Sequence, residues 1–225
     1  MLPFNQRNVF ENHTSILNKL IIAKGYKSYL EIGVNDPKDN YDFILAKEKE
    51  GCDPGKDFDY TYNMTSDEMF AQMDENKKYD LIFIDGMHTS EYSDRDITNA
   101  FKHLNKDGII CVHDTIPRSQ EANLSYDEYH KDINGWNGDV WKSIVKLNCS
   151  GIQFFTLDCG DYGITIILYS PGCENINLND YVINCTYENY FNDNNFLFGC
   201  LNLQGRYVMH AIDIFDFEKI FNISI

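Results

Sequence analysis

The sequence predicts an α/β fold built on a parallel β-sheet, and two apolar segments with a helix between them carry that prediction. Residues 79–84 (YDLIFI) form a short apolar run rich in β-forming residues, as a buried parallel strand requires. Apolar residues then recur at helical spacing over 90–105, and Asp107-Gly108 precedes a second apolar run at 109–112. A strand, a helix and a second strand in this order are typical of a parallel sheet.

Four titratable side chains follow these two strands. Asp85 and His88 come after the first strand, and His113 and Asp114 come directly after the second. Because the carboxyl ends of parallel strands lie at the same edge of a sheet, we expect the four side chains to converge on one crevice. Four titratable side chains at one edge of the sheet favour a catalytic site there.

The rest of the chain adds elements on both sides of this unit. Before it we expect a helix over 9–24, a strand over 28–32 with a turn at Gly33, a helix over 40–49, short strands at 51–54 and 59–62, and a helix beginning at Thr65 or Ser66. After it we expect a long loop over 118–134, a helix carrying Val140, Ile144 and Leu147, a hairpin of strands at 154–157 and 163–169, and a short helix over 213–222. We therefore divide the chain into an N-terminal helix (1–27), a single α/β domain (28–170) and a C-terminal extension of unassigned placement (171–225).

The composition narrows the class of partner. The formal net charge of −16 disfavours nucleic acid and anionic membranes, which would be repelled. The seven cysteines are scattered without a C-x-x-C pair, as expected for reduced thiols. The chain shows no basic segment followed by an apolar core at its start and no apolar run of about 18 residues, so we expect a cytoplasmic protein without a membrane span.

Six motifs carry a resemblance to a known family. In chain order over residues 28–147 they are YLEIGV, GCDP, TSDEMF, YDLIFIDGMHTSEYSDRDI, LNKDGIICVHDTIP and GDVWK. The set resembles the class I S-adenosylmethionine-dependent methyltransferases, and more narrowly the small methyltransferases of sugar and polysaccharide biosynthesis clusters. The resemblance implies a Rossmann-like, seven-stranded sheet with helices on both faces and S-adenosylmethionine at the strand ends.

The same resemblance implies the cofactor-binding residues. Glu31, Gly33 and Asn35 would line the methionine part of the cofactor, and Asp85 is assigned to the same site. Asp53 would hold the ribose, and Ser66 with Asp67 would lie near the adenine. A buried charge at Glu31 needs a partner, which the cofactor's ammonium or a nearby lysine would supply. The family's second glycine is absent at 36–38, which predicts a wider turn.

Methyl transfer to a hydroxyl needs alignment of the reactants and removal of a proton. His113 is the first candidate for the general base and His88 the second, with Asp85 beside them. The structural alternatives are a core role for His113, a helix cap for His88 and a turn or cap for Asp85. A divalent ion such as Mg²⁺ would be bound by Asp85, Asp114 and His113, because carboxylate and imidazole both ligate such ions.

A segment with two tryptophans supplies the candidate acceptor residues. Trp136 and Trp141 would form an aromatic wall against the acceptor or pack in the core. Asp139 would contact the acceptor or cap its own helix, and Lys142 would meet an acceptor phosphate or carboxylate, or face solvent.

We expect methyl transfer to a hydroxyl of a sugar, either nucleotide-linked or at a glycan end. The alternatives are a metal-dependent O- or N-methyltransferase of another small molecule or amino sugar, and a non-catalytic cofactor-binding module. A dinucleotide-dependent oxidoreductase is disfavoured because a G-x-G-x-x-G motif is lacking. The segment after Pro171 would close the acceptor pocket or build a homodimer.

Overall fold

The computed structural model describes residues 11–55, 57–129, 135–191 and 201–223. The strands of the sheet are β1 (Ser28–Ile32), β2 (Glu48–Cys52), β3 (Tyr79–Ile84), β4 (Leu104–Val112), β5 (Phe154–Leu157), β6 (Ile164–Leu168) and β7 (Ala211–Ile212). The helices are α1 (His13–Lys24), α2 (Ser66–Gln72), α3 (Ser90–Lys102), α4 (Trp141–Ser150), α5 (Tyr187–Tyr190), α6 (Leu203–Val208) and α7 (Ile214–Ile220).

The seven strands lie in the order β2-β1-β3-β4-β6-β5-β7. β1 to β4 are parallel to one another, and β6 is antiparallel to both of its neighbours. The predicted strands at 28–32, 79–84 and 109–112 and the predicted hairpin near the end of the domain are confirmed. With helices on both faces, this sheet confirms the Rossmann-like, class I methyltransferase fold.

Both faces of the central strands are buried. Leu30 and Ile82 pack with α3 and α4 on one face, whereas Tyr29, Leu81 and Phe83 pack with α1 and α7 on the other. Successive side chains of a strand point to opposite faces, so two covered faces require apolar residues at nearly every position. This explains the continuous apolar runs that predicted the strands.

The predicted helix over 40–49 is wrong. Residues Tyr41–Phe43 form one 3₁₀ turn, and the chain then enters β2, which pairs in parallel with β1. Ile44 and Ala46 are buried while Leu45 between them is 62% exposed, which is the alternation of an extended chain. Pairing of β2 with the edge of the sheet thus outweighs the helical spacing of the apolar residues in this segment. The predicted strand at 59–62 is reduced to a single bridge between Tyr62 and Cys52.

The central helix is shorter than predicted. α3 ends at Lys102, and β4 begins at Leu104 with a shift in its register to β3. Asp107 and Gly108, predicted to end the helix, lie within β4. Asp107 has a φ of +67°, so the chain adopts an irregular conformation inside the strand where the sequence predicted a stop.

The C-terminal extension packs on both sides of the sheet. β7 pairs with β5, and Cys173 and Leu178 lie in the core cluster that includes α3. α7 confirms the predicted short helix. The predicted loop over 118–134 contains a 3₁₀ turn at Glu121–Asn123, and its last part, 130–134, lies outside the described residues. Within the described ranges, none of the helices combines the length and apolar character that crossing a membrane requires.

Candidate active site

A cavity of about 750 Å³ opens at the carboxyl ends of β1, β2 and β3. It is bounded by the turns that follow these strands and by the start of α2. Every residue that the resemblance assigns to the cofactor lines it: Glu31, Gly33, Asn35, Asp53, Ser66, Asp67 and Asp85. The expected crevice at the strand ends is therefore present.

Gly33 lies where the end of β1 contacts the end of β3. Its φ is +86°, and a Cβ atom placed on it would lie 2.1 Å from the backbone oxygen of Asp85. The Asp85 N–H donates to the Ile32 carbonyl over 2.9 Å, which holds the two strand ends together. Only glycine combines this conformation with this contact.

The turn after Gly33 is closed by a carboxylate. Asn35 has a φ of +49°, and its N–H donates to Asp53 Oδ2 over 2.9 Å. Asp53 Oδ1 accepts from the Gly55 N–H over 2.7 Å. Asparagine tolerates the left-handed region better than most residues, so Asn35 provides the turn in a loop where the second glycine expected from the resemblance is absent. The carboxylate of Asp53 thus organises two loops at the edge of the cavity.

Glu31 is a buried acid, 1% exposed, at the end of β1. Its Oε2 accepts hydrogen bonds from the Tyr29 hydroxyl (2.6 Å) and the Asn40 amide (2.9 Å). Lys49 donates instead to the Tyr41 carbonyl. Burial raises the pKa of Glu31 to about 8, against the opposing effect of these two hydrogen bonds. A cation entering the cavity would therefore meet a carboxyl group that gives up its proton on binding.

The four titratable side chains after β3 and β4 converge as expected. His113 Nδ1 lies 3.2 Å from Asp85 Oδ1, and His88 Nε2 lies 3.2 Å from Asp114 Oδ2 and 3.6 Å from Asp85 Oδ1. Burial opposes ionisation of Asp85, but the two imidazoles hold the pKa of this carboxyl well below its usual range. The network therefore holds a charged carboxylate against the cavity.

The two histidines differ in what surrounds their rings. His113 is buried, and its Nε2 lies 3.1 Å from the Asp161 carbonyl. Burial disfavours its charged form, but the carboxylates of Asp85 and Asp114 raise its pKa well above the usual value. With acceptors at both ring nitrogens, His113 is arranged to donate two hydrogen bonds. It does not line the cavity, so this geometry does not favour the first candidate for the base.

His88 lines the cavity. Its Nδ1 lies 2.6 Å from the Trp136 carbonyl, and its ring stacks on the Trp136 indole at 5.2 Å. Burial disfavours the charged ring, but Asp85 and Asp114 outweigh it and raise the pKa of His88 to about 9. Gly138 packs against the same residue, because a Cβ there would lie 1.7 Å from the His88 carbonyl oxygen.

None of the four candidate acceptor residues lines the cavity. Trp141 is fully buried and packs edge-on against Tyr190 and Phe191, so its predicted core role is the one observed. Trp136 reaches the site only through its stack on His88.

The two charged candidate acceptor residues pair with each other. Asp139 Oδ1 accepts from the Ser90 N–H over 2.6 Å, so it caps α3 rather than its own helix. Lys142 Nζ lies 2.9 Å from Asp139 Oδ2. Both residues therefore serve the packing of α4 against α3, and acceptor binding remains a role that the sequence predicts for them.

Residues 21–115, less than half of the chain, match the family model described as a methyltransferase domain. They carry the first four strands and most of the cavity lining. A comparison with curated proteins gives no match.

Solved structures resemble the chain at low identity. One is a Staphylococcus aureus protein assigned to the caffeoyl-CoA O-methyltransferases, with 15% identity, a TM-score of 0.47 and coverage of 70% of this chain and 82% of that one. Another is an O-methyltransferase of Bacillus cereus in complex with S-adenosylhomocysteine, with 11% identity, a TM-score of 0.46 and coverage of 73% and 84%.

Among the cavity-lining residues that were not predicted from the sequence are Asp96 and His13. Asp96 is buried in α3, and its Oδ1 has no hydrogen-bond partner among the described residues. Burial raises its pKa to about 7. Its signal in the sequence is an acid at the same helical spacing as Ala100, on the buried face of α3. His13, the first residue of α1, reaches the cavity from outside the strand-end motifs, and no local pattern marks it.

The candidate metal ligands fall into two groups. One potential ligand atom each from Asp85, His88 and Asp114 lies within 4.8 Å of the others, and the same holds for His13, His113 and Asp161. Of the predicted set, Asp85 and Asp114 stand in the first group with His88. His113 belongs to the second group, although its Nδ1 also lies 3.2 Å from Asp85 Oδ1 and 3.7 Å from Asp114 Oδ1. The sequence did not indicate His13 or Asp161 as ligands.

Proposed function

We propose that this protein is an S-adenosylmethionine-dependent O-methyltransferase. The observation that carries the proposal is the cavity at the strand ends of the segment that matches the methyltransferase-domain model, with the buried carboxyl of Glu31 in its wall. Its volume of about 750 Å³ falls in the range of small-molecule and cofactor sites. The residues present suit this cofactor. Burial disfavours the ionised form of Glu31, and a ligand with an ammonium group supplies the positive partner that this form needs.

Each part of the cavity has a proposed task. Glu31 binds the ammonium of the methionine part, and Gly33 lets the backbone approach the ligand closely. Asp53 accepts hydrogen bonds from the ribose hydroxyls. Ser66 and Asp67, at the start of α2, lie beside the adenine. The bound cofactor supplies a methyl group on a sulfonium centre, which is open to in-line attack.

In this proposal His88 accepts the proton of the acceptor hydroxyl. It lines the cavity next to Asp85, whereas His113 lies behind Asp85 and positions that carboxylate. A pKa of about 9 makes the neutral ring of His88 a stronger base than an ordinary histidine, although a smaller fraction of it is neutral at pH 7. The carboxylates of Asp85 and Asp114 stabilise the imidazolium that results.

A sugar hydroxyl, nucleotide-linked or at a glycan end, is the proposed acceptor, and this class is taken from the resemblance of the six motifs. Acids on the cavity wall such as Asp39 and Asp85 support it, because carboxylates accept hydrogen bonds from several hydroxyls. In the metal-dependent alternative, a divalent cation would be held mainly by the carboxylates of Asp85 and Asp114, where it would lower the pKa of a bound hydroxyl. His88 would then be a third ligand and not the base. Methylation of an amine in place of a hydroxyl would use the same cavity.

Titration calorimetry with S-adenosylhomocysteine tests the proposal directly. One saturable site per chain is expected, with or without EDTA, because the cofactor residues Glu31, Asp53, Ser66 and Asp67 are separate from the candidate cation ligands, and only Asp85 belongs to both sets. Absence of binding under both conditions would remove the methyltransferase proposal. Binding without turnover on any hydroxyl or amine acceptor would instead support a non-catalytic cofactor-binding module.

S-Adenosylhomocysteine is expected to bind more tightly as the pH rises from about 6 to about 8. Glu31 has a pKa of about 8 in the free protein, and a bound ammonium lowers it, so binding releases a proton over this range. The affinity should therefore rise with pH and level off above about 8. Calorimetry in two buffers of different ionisation enthalpy measures the released proton.

The matched control for this prediction is Glu31→Gln, which keeps the shape of the side chain and removes its charge. We expect about tenfold weaker binding at pH 8, from the loss of a charge-assisted hydrogen bond, and a flat pH dependence. Proton release that persists in Glu31→Gln would assign the titration to another group.

A further inference from the structure

A second cluster of metal-ligating side chains lies on the side of His113 that faces away from Asp85. His13 Nδ1 lies 2.6 Å from Asp161 Oδ2, and His113 Nε2 lies 3.6 Å from Asp161 Oδ1. The rings of His13 and His113 meet edge to face with their centroids 4.7 Å apart. Two imidazoles and one carboxylate therefore point at a common volume.

Three distant parts of the chain supply this cluster. His13 begins α1, His113 follows β4, and Asp161 lies in the turn between β5 and β6. Their side chains are 18%, 8% and 17% exposed, so the cluster is largely shielded from solvent. Asp161 Oδ2 also accepts the backbone N–H of His13 over 2.8 Å, which satisfies the start of α1. That capping role explains the carboxylate but not the presence of two imidazoles around it.

We propose that His13, His113 and Asp161 bind a divalent transition-metal ion of the zinc class. Imidazole nitrogens suit zinc and related first-row metals, whereas magnesium and calcium prefer sites built from oxygen ligands. Two histidines with one carboxylate form a three-ligand set that leaves a coordination position for water or another ligand. The inference concerns a site other than the cofactor cavity and does not depend on the proposed function.

The orientation of His113 supports this assignment independently. Histidines that ligate metals usually donate their second ring N–H to a carboxylate, which fixes the tautomer and the ring. Asp85 Oδ1 lies 3.2 Å from His113 Nδ1 and provides that carboxylate. Nε2 is then the nitrogen directed at Asp161 and His13, and a bound ion would replace its 3.1 Å contact with the Asp161 carbonyl.

An ion at this position would connect α1 to the edge of the sheet. His13 also lines the cofactor cavity, so the ion would hold one part of the cavity wall in place. A ligand that binds the folded chain and not the unfolded chain stabilises it, so zinc is expected to raise the midpoint of thermal unfolding.

The test uses the full-length chain, stripped with EDTA and then titrated with zinc chloride by calorimetry in a buffer containing magnesium. One zinc ion per chain is expected. Asp161→Asn keeps an oxygen for the N–H of His13 but loses the carboxylate ligand, and His13→Gln loses an imidazole. Each variant should bind zinc at least about tenfold more weakly. His88→Gln, in the neighbouring cluster, should bind zinc as the natural sequence does.

Cobalt provides a readout that needs no variant. Bound in place of zinc, Co²⁺ at a site of this kind should show visible absorption bands of low coordination number that zinc abolishes. The proposal is overturned if no zinc binds, if His13→Gln and Asp161→Asn leave the affinity unchanged, or if only His88→Gln weakens it. The last result would place the ion among Asp85, His88 and Asp114.

Discussion

Replacing Gly33 by alanine is expected to abolish detectable S-adenosylhomocysteine binding and to lower the free energy of unfolding by more than about 3 kcal/mol. Two effects add at this position. The φ of +86° is strained for any residue with a Cβ, and the new methyl group would meet the Asp85 backbone oxygen at 2.1 Å. Relief requires the ends of β1 and β3 to separate, and these ends form the cavity.

Gly172→Ala is the matched control for backbone strain. Gly172 has a φ of +88°, but a Cβ there would meet nothing within 4 Å. This variant should lose only about 1–2 kcal/mol and should bind S-adenosylhomocysteine normally. Urea unfolding and titration calorimetry measure both quantities. Equal behaviour of the two variants would show that the close approach of β1 and β3 does not constrain the site.

Replacing His88 by alanine is expected to lower kcat by a factor of about 100 or more, the range typical of a lost general base. The affinity for S-adenosylhomocysteine should change by less than about threefold, because the proposed contacts to the cofactor come from other residues. The measurement combines a methyl-transfer assay, on an acceptor found by screening sugars and sugar nucleotides, with calorimetry of cofactor binding.

Two histidine variants make this result specific. His103 is bound to the Lys77 carbonyl at the opposite edge of the sheet, so His103→Ala should leave kcat unchanged. His113→Ala should impair turnover through displacement of Asp85, with a loss smaller than that of His88→Ala. Normal turnover in His88→Ala together with an inactive His113→Ala would return the role of the base to His113, as first expected from the sequence.

The strand ends could be predicted because parallel strands follow a regular pattern. A strand buried on both faces needs a continuous apolar run, and that run places the residue after it at the sheet edge. The sequence thereby located Asp85 and His113, and the motifs of the family located Glu31, Gly33 and Asp53. The structure brings all five to the same edge of the sheet.

The helix at 40–49 could not be excluded from the sequence, because its local spacing fits a helix. Pairing with β1 decides the conformation. The backbone of Ser28–Ile32 pairs in parallel with Glu48–Cys52, so the end of this segment is extended in β2. The cap formed by Asp139 could not be predicted from local sequence either. Asp139 accepts from Ser90 at the start of α3, 49 residues away, and does not cap its own helix.

The sequence by itself determined the α/β class, the strand ends and the set of acids and imidazoles that gather there, because these depend on periodicity and on the position of residues along the chain. Only the tertiary structure decided which imidazole faces the cavity. It set His88 on the cavity wall and His113 behind Asp85, and it brought His13 and Asp161 from distant segments to Nε2 of His113. The physical reason is that the direction of a side chain at a strand end is set by what packs around it, and that packing comes from helices and turns far away in the sequence.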